Sequence, residues 1–254
     1  MSAGISLPPD DAPAWLQPLV DRADHVRDAY RSEVPADVLA SLTAANAEAE
    51  LAGSRRDAAV LVLFSGPEAG AADGAPPDQA DLLVTVRAST LRHHAGQAAF
   101  PGGAADPGDD GPIGTALREA REETGIDTSR IYPLATLDKM FIPPSGFHVV
   151  PVLAYSPDPG PVYVVDEAET AIVARVPLRA FINPENRLMV FRSANTRRFA
   201  GPAFLLNDML VWGFTGQVIS AMLGVAGWAR PWDTTNIVEL EDAMALVGAS
   251  GDRG

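Results

Sequence analysis

The sequence predicts a mixed α/β protein, because apolar segments of strand length alternate along the chain with helical segments. Residues 58–64 are apolar and typical of a buried strand. Residues 113–124 form the clearest helical segment, followed by Gly125 where a left-handed C-terminal residue is expected. The chain has 254 residues, of which 47% are hydrophobic, so it suits one large domain, or one domain with extensions, around a sizeable core.

The N-terminal fifth of the chain is expected to be helical after a short tail. Residues 1–13 are rich in proline and acidic side chains, and we expect a flexible tail there. Apolar residues then recur at helical spacing on both sides of Pro35. We therefore divide the chain into this tail, a helical extension packed on the domain at 14–50, the main domain at 51–245 and a second flexible tail at 246–254.

The main domain is expected to open with a hairpin. Residues 58–64 and 82–86 are strand candidates, and their connection, 65–81, is rich in Gly, Pro, Ala and Asp, which is typical of an extended loop. The later candidates are strands at 131–137, 147–155 and 171–176, an apolar and aromatic segment at 204–214, and a helix at 215–223.

The charge balance narrows the range of partners. The formal net charge is −14, from 19 Lys and Arg against 33 Asp and Glu, which disfavours a nucleic-acid backbone as partner. A small anionic substrate would need local cations or a bound metal ion. The chain has no cysteine, which excludes disulfides, thiolate metal sites and cysteine nucleophiles. With no signal peptide and no apolar segment of roughly 18 residues, we expect a cytoplasmic protein without a membrane partner.

Three glutamates share one face of the predicted helix at 113–124. Glu119, Glu122 and Glu123 stand at positions i, i+3 and i+4, where a cation would relieve their mutual repulsion. Mg²⁺ and Mn²⁺ prefer oxygen ligands of this kind. The alternative is an ordinary solvated helix face, with Arg118 and Glu122 as an i, i+4 pair. The Phe-Pro-Gly-Gly turn at 100–103 favours the metal site, because glycine backbone lets a ligand approach closely.

Residues 103–126 resemble the Nudix box. The family pattern is a glycine, five residues, a glutamate, seven residues and then R-E-apolar-x-E-E-x-G-apolar. The second half matches fully in REAREETGI at 118–126. In the first half, Asp109 replaces the glutamate and eight residues separate it from Arg118. Asp110 restores that spacing but not the spacing to the glycine, so the role of the upstream acid stays open, as does that of Asp106.

A second stretch is similar to the additional signature of the coenzyme A pyrophosphatase branch of the Nudix family. That signature is roughly L-L-T-x-R-S/A-x-x-L-R-x-H-x-G-Q-V-x-F-P-G-G, against LLVTVRASTLRHHAGQAAFPGG at 82–103. VWGFT at 211–215 also resembles the branch's C-terminal V-W-G-x-T. The resemblance covers roughly residues 58–223. The matching positions of the signature are Arg87, Leu91, Arg92, His94, Gly96, Gln97 and the F-P-G-G run.

The resemblance implies an α/β/α sandwich around a mixed β-sheet, with extra N-terminal helices. It also implies a pyrophosphohydrolase that requires Mg²⁺ or Mn²⁺ and cleaves coenzyme A or a derivative to 3′,5′-ADP and a 4′-phosphopantetheine product. The alternatives are a Nudix hydrolase of ADP-ribose, NADH or a dinucleoside polyphosphate, and a non-catalytic module that senses a nucleotide. A homodimer is expected by family analogy.

The family pattern also assigns the metal site. Glu119 and Glu123 are the implied main metal ligands, Glu122 is a further ligand, and the backbone carbonyl of Gly103 is an additional candidate. Arg118 is expected to orient a glutamate through a charge-assisted hydrogen bond.

The general base and the substrate contacts are less closely defined. Glu122 is one candidate for the base, and Glu167 or Glu169 in a later loop is another, although an ordinary surface acid is the alternative for both loop residues. The branch's substrate-side residues are Arg87, Arg92, His94 and Gln97. Paired guanidinium donors suit phosphate oxygens. The alternative for these four is a structural turn, and we expect Trp212 and Phe214 to belong to the core.

Overall fold

The computed structural model describes residues 12–53, 56–70, 74–88, 96–142, 146–194, 197–206 and 209–251. Their helices are α1 Gln17–Val20, α2 Val26–Ser32, α3 Ala36–Leu51, α4 Gly111–Thr124, α5 Leu178–Ile182, α6 Gly213–Val225 and α7 Leu240–Gly251. Their strands are β1 Arg56–Ser65, β2 Asp81–Arg87, β3 Ala98–Ala99, β4 Gly102–Ala104, β5 Tyr132–Thr136, β6 Met140–Ile142, β7 Phe147–Ser156, β8 Thr170–Pro177, β9 Arg187–Ala194, β10 Arg197–Leu206, β11 Met209–Val211 and β12 Ile237–Glu239. None of these helices is long and apolar enough to cross a membrane.

The first sheet is organised around β1. Strand β1 pairs in parallel with β7 along its whole length. On its other edge it pairs with β2 only near its end, where Phe64 lies opposite Leu82, and with β4 nearer its beginning, where Ala59 lies opposite Gly103. Because β3 pairs with the far part of β2, residues 98–104 fill the space between the diverging strands β1 and β2. Strands β5 and β6 pair with β7, and β8 pairs with β2, all antiparallel.

Alternate side chains of β1 point to opposite faces of this sheet, as the period of a strand requires. Val62 and Phe64 join the core shared with α1, α2 and α6. Leu61 and Leu63 join the core on the other face, where Ala120 of α4 packs. Helices therefore cover both faces, which confirms the α/β/α sandwich around a mixed sheet. The strands and helices predicted at 58–64, 82–86, 113–124, 131–137, 147–155, 171–176 and 215–223 all correspond to observed elements.

A second sheet, in the order β11-β10-β9-β12, was not predicted from the sequence. Strands β9 and β12 are parallel, and the other pairs are antiparallel. Helix α7 covers one face of this sheet, where Ala243 is fully buried against Leu188 and Val190. Residues 246–251 of the expected flexible tail belong to α7, and Val247 packs against this sheet. Residues 252–254 lie outside the described residues.

The N-terminal segment contributes directly to the main core. Trp15 is fully buried and makes edge contacts with Phe64 and Tyr155, each at a centroid distance of 6.3 Å. Its indole Nε1 donates to the carbonyl of Pro67 at 3.0 Å. The helical segments expected within 14–50 are present, whereas residues 1–11 of the expected tail lie outside the described residues. The extension is thus part of the packed structure.

Candidate active site

Helix α4 carries the glutamates and is held firmly against the sheet. Pro112 occupies its first turn, and Gly125 ends it in the left-handed region at φ 65°, with its N–H bonded to the carbonyl of Arg121. Ala116 and Ala120 are fully buried against β1. Small side chains on this face bring the helix close to β1 and β4, so the glutamates stand beside the 98–104 segment.

Glu123 is the most deeply placed of the three glutamates. The backbone N–H of Gly102 donates to its Oε2 at 3.2 Å. Burial raises the pKa of Glu123 to about 7, and the negative charges of Glu119 and Glu169 act in the same direction. The Gly102 N–H and the positive charge of Arg87 oppose that rise. The carboxyl therefore lies among acidic neighbours, and a bound cation would relieve the repulsion between them.

Glu119 lies directly against Gly103. A Cβ atom at Gly103 would come within 2.6 Å of the Glu119 carboxyl carbon and of both its oxygens. A Cβ at Gly102 would stand 2.4 Å from the carbonyl oxygen of Ala59. Backbone atoms exclude a side chain at Gly102, whereas a side chain at Gly103 would displace the Glu119 carboxyl. Burial raises the pKa of Glu119 above its usual value, while Arg118 acts to lower it. The Gly-Gly pair thus brings backbone atoms against two of the predicted metal ligands.

Arg118 organises the face of α4 through several ion pairs. Its Nε and Nη2 donate to Oδ1 and Oδ2 of Asp109 at 2.9 and 3.0 Å, a bidentate pair, and Nη2 also donates to the carbonyl of Ala104. Its Nη1 donates to Glu119 at 2.9 Å and to Glu122 at 3.0 Å. Arg118 therefore orients the predicted metal ligands.

Asp109 is the upstream acid that this geometry selects. Its carboxylate accepts both Arg118 bonds, a backbone bond from Asp106 at 2.9 Å and one from the Thr115 hydroxyl at 2.8 Å. The bonds from Arg118 are the main reason why the pKa of Asp109 is well below its usual range. Asp110 is the N-cap residue of α4 and makes no side-chain capping bond. The sequence left this choice open, and sequence spacing favoured neither acid.

Glu122 is the most exposed of the cluster, with 52% of its side chain accessible. Its contact with Arg118 is the predicted i, i+4 pair. Within the described part of the chain, no three acidic or histidine side chains already stand together as a ligand group for a metal. The reason is that Glu119 and Glu122 turn towards Arg118 whereas Glu123 turns towards Gly102.

Two of the four predicted substrate-side residues lie in the described region. Arg87 ends β2, and its backbone pairs with Gly96 and Gln97 across the ends of the intervening loop. The guanidinium Nε of Arg87 is buried and has no hydrogen-bond partner among the described residues. Its charge acts on Glu123, as described above. Arg92 and His94 lie outside the described residues.

The later acidic loop reaches the same site. The carbonyl of Glu169 accepts from the N–H of Ala88 at 2.9 Å, next to Arg87, and its exposed side chain carries the charge that acts on Glu123. Further up the loop, the N–H of Tyr163 donates to the carbonyl of Thr124 at 2.9 Å. Glu167 is exposed, and no described contact ties it to the glutamates. Of the two acids proposed from this loop, Glu169 is the one near the cluster.

Comparison with known proteins places this site in a family. The family model described as "NUDIX domain" matches residues 56–194, more than half of the chain. The protein named "Uncharacterized Nudix hydrolase NudL" from Yersinia pestis (strain Pestoides F) is 39% identical over 140 residues, which cover 54% of this chain and 68% of that protein. The chain belongs to the Nudix hydrolase family. This confirms the predicted class of enzyme, a Nudix-type pyrophosphohydrolase, and with it the use of a divalent metal ion.

Solved structures of Nudix proteins are also similar to this chain. RenU, a Nudix hydrolase from M. smegmatis, is 17% identical to this chain, with a TM-score of 0.45. The match covers 70% of this chain and 90% of the RenU chain. A C. elegans Ap4A hydrolase in a binary complex is 21% identical to this chain, with a TM-score of 0.38. The match covers 49% of this chain and 81% of the hydrolase chain.

Proposed function

We propose that this Nudix hydrolase cleaves the diphosphate of coenzyme A or its derivatives, with Mg²⁺ or Mn²⁺, to 3′,5′-ADP and 4′-phosphopantetheine products. The observation that carries the proposal is the half-buried Glu123 carboxyl, which feels the charge of Arg87 at the end of the strand that begins the coenzyme A signature. A carboxylate cluster next to a guanidinium with an unbonded nitrogen suits a metal-bound diphosphate.

The donor set fits a hard divalent cation. Glu119 and Glu123 offer carboxylate oxygens beside the Gly102–Gly103 backbone, and Glu122 is exposed enough to turn inwards. When bound, the cation would neutralise diphosphate charge and lower the pKa of a water molecule. Burial and the negative charges of nearby carboxylates raise the pKa of both Glu119 and Glu123, and a cation would reverse this effect. Arg118 acts as a positioning residue for Glu119 and Glu122.

Arg87 is proposed to bind phosphate oxygens of the substrate. Its guanidinium is half-buried, so its paired donors would lose little freedom on contact with a phosphate. Gln97 lies opposite Arg87 at the other end of the loop, and its carbonyl accepts a hydrogen bond from the Arg87 N–H, which supports a shared role for the two residues. Arg92 and His94 belong to the same proposal through the signature.

Glu169 is proposed as the general base, with Glu122 as the second candidate. The bond between its carbonyl and Ala88 fixes the Glu169 backbone beside Arg87, while its exposed side chain stays free to approach an attacking water. Glu122 is engaged by Arg118 at 3.0 Å, so it would first have to leave an ion pair. Glu169→Gln should lower kcat with little change in KM, whereas Glu167→Gln at the neighbouring exposed acid should leave both values unchanged.

The substrate is tested by incubating the purified protein with coenzyme A, an acyl-coenzyme A, ADP-ribose and NADH, each with Mg²⁺ or Mn²⁺. We expect 3′,5′-ADP from the coenzyme A substrates and much slower turnover of the other two. Turnover of ADP-ribose or NADH without release of 3′,5′-ADP would refute the substrate assignment and leave the family chemistry intact. The proposal also includes a cytoplasmic location and a homodimer, the latter to be measured by light scattering.

A further inference from the structure

A small cavity lies between the second sheet and the first turn of α6. Its volume is about 10 Å³, enough for one water molecule or for a single ligand oxygen atom of similar size. The V-W-G-x-T resemblance at 211–215 runs along this wall, and nothing in the proposed catalytic site accounts for it. The residues that line the cavity are Val190, Phe199, Gly201, Trp212, Gly213 and Gln217.

Gln217 points a hydrogen-bond donor at this space. Its side chain belongs to a residue only 4% exposed, and its Nε2 has no hydrogen-bond partner among the described residues. A Cβ atom at Gly201 would stand 3.5 Å from that Nε2, so glycine leaves the space in front of the amide open. A buried donor without an acceptor is unfavourable, and a ligand that supplies an acceptor would remove the cost.

The start of α6 makes the same cavity attractive to an acceptor. The helix is 13 residues long, and both its N-cap residue Trp212 and its first residue Gly213 line the cavity. Gly213 follows in the left-handed region at φ 65°, and its lack of a side chain keeps the first turn open to the cavity. The N-terminal end of the helix dipole therefore favours a partial negative charge there.

The cavity walls exclude a fully charged ligand group. The six residues that line it are uncharged, and two of them are aromatic. Burial of a phosphate or carboxylate without a cation would be costly, whereas a neutral carbonyl oxygen needs only a donor. The cavity thus matches an uncharged acceptor, such as an amide carbonyl, carried on an apolar arm.

The apolar cluster that includes two of the cavity-lining residues also contacts Gly96, beside the predicted substrate-side residue Gln97. Met244 of α7 packs in the same apolar cluster as Val190 and Trp212. The Met244 methyl group comes within 3.8 Å of the position that a Cβ of Gly96 would occupy. Gly96 precedes Gln97, one of the predicted substrate-side residues, so the apolar cluster beside the cavity extends to the described end of the predicted substrate loop.

We propose that this cavity is a binding subsite for an amide carbonyl on the apolar arm of the substrate, with Gln217 Nε2 as the donor. The inference rests on the proposed function, since the arm of coenzyme A carries amides and ADP-ribose has none. Gln217 of α6 is thereby a specificity-determining residue that does not belong to the glutamate cluster on α4.

The test compares Gln217→Met with Gln79→Met, the same change at an exposed glutamine. Saturation-transfer NMR uses pantetheine, which has the amide arm without the diphosphate. We expect transfer to pantetheine in the wild-type and Gln79→Met proteins, and a loss of at least about fivefold in Gln217→Met. The melting temperature of Gln217→Met should not fall, because the change removes an unpaired buried donor. The absence of transfer in the wild-type protein, or equal transfer in all three proteins, would overturn the proposal.

Kinetics separate this inference from the proposed function. In Gln217→Met, the ratio of KM for coenzyme A to KM for ADP-ribose should rise about tenfold, as expected for the loss of one buried hydrogen bond. An unchanged ratio contradicts the subsite even if coenzyme A is cleaved. If coenzyme A is not cleaved but pantetheine transfer is lost in Gln217→Met, the proposed function fails and the subsite stands.

Discussion

Glu123→Gln is expected to stabilise the metal-free protein while removing its activity. The raised pKa of Glu123 means that the folded protein holds a proton at pH values where the unfolded chain has already released it. The carboxyl therefore costs no stability below its ordinary pKa of 4.5. The loss of folding stability grows as the pH rises towards 7, and it reaches its full size above that value. Glutamine can still accept the bond from Gly102 but carries no charge.

The magnitude follows from the two pKa values. The interval from 4.5 to about 7, at 1.36 kcal/mol for each pKa unit, gives at most roughly 3 kcal/mol of additional stability for the variant at pH 8. For a chain of this size, such a gain raises the melting temperature by roughly 6–12 °C. At pH 5 the two proteins should differ by less than about 1 kcal/mol.

Urea unfolding with EDTA at pH 5 and pH 8 measures this difference. Glu122→Gln is the matched control, because the same substitution on the same helix removes a side chain that is 52% exposed. Added Mg²⁺ should stabilise the wild-type protein and not Glu123→Gln, because only the former keeps the ligand. Equal stability of Glu123→Gln and the wild-type protein at pH 8, or the same difference at both pH values, would refute the argument from burial.

Three other substitutions test the remaining parts of the account. Arg118→Lys should lower Mn²⁺ affinity by roughly 10- to 100-fold, because lysine cannot keep the bidentate pair with Asp109. Calorimetry measures this affinity, and an unchanged value would contradict the prediction. Gly103→Ala should weaken Mn²⁺ binding to a similar extent, since its Cβ would displace the Glu119 carboxyl, and an unaltered Kd would argue against that contact. Trp15→Ala should lower the free energy of unfolding by about 3–5 kcal/mol, because the side chain is fully buried in the main core. Urea unfolding measures this change, and a decrease below about 1 kcal/mol would show that the extension packs independently.

Helix α4 was predictable because local signals agree along its length. Its helical segment ends at a glycine suited to the left-handed C-terminal position, and the glutamates keep a fixed helical spacing whatever lies around them. The hairpin of β1 and β2 was predictable for a similar reason, since two apolar strands flank a Gly- and Pro-rich connection. In both cases residues close in sequence determine the structure.

The second sheet depends on contacts that are distant in sequence. Strand β12 has only three residues and pairs with β9 residues that lie 48 positions earlier, so no local period reveals it. In α7, Leu240, Met244 and Val247 stand at helical spacing, which was a usable signal for a helix in place of a tail. The Asp109–Arg118 pair likewise emerged only in three dimensions, because the extra residue in the box makes the spacing ambiguous.

The most direct test of the central claim is the release of 3′,5′-ADP from coenzyme A by the wild-type protein and by Glu123→Gln. With Mg²⁺ or Mn²⁺ we expect steady release of 3′,5′-ADP from the wild-type protein, and no release in EDTA. The rate of Glu123→Gln should be at least about 100-fold lower. This loss exceeds the roughly 10- to 100-fold loss that is typical when a residue hydrogen-bonded to a metal ligand is mutated. Coenzyme A should still bind the variant. Undiminished release by Glu123→Gln, or no release by the wild-type protein with either metal, would contradict the account.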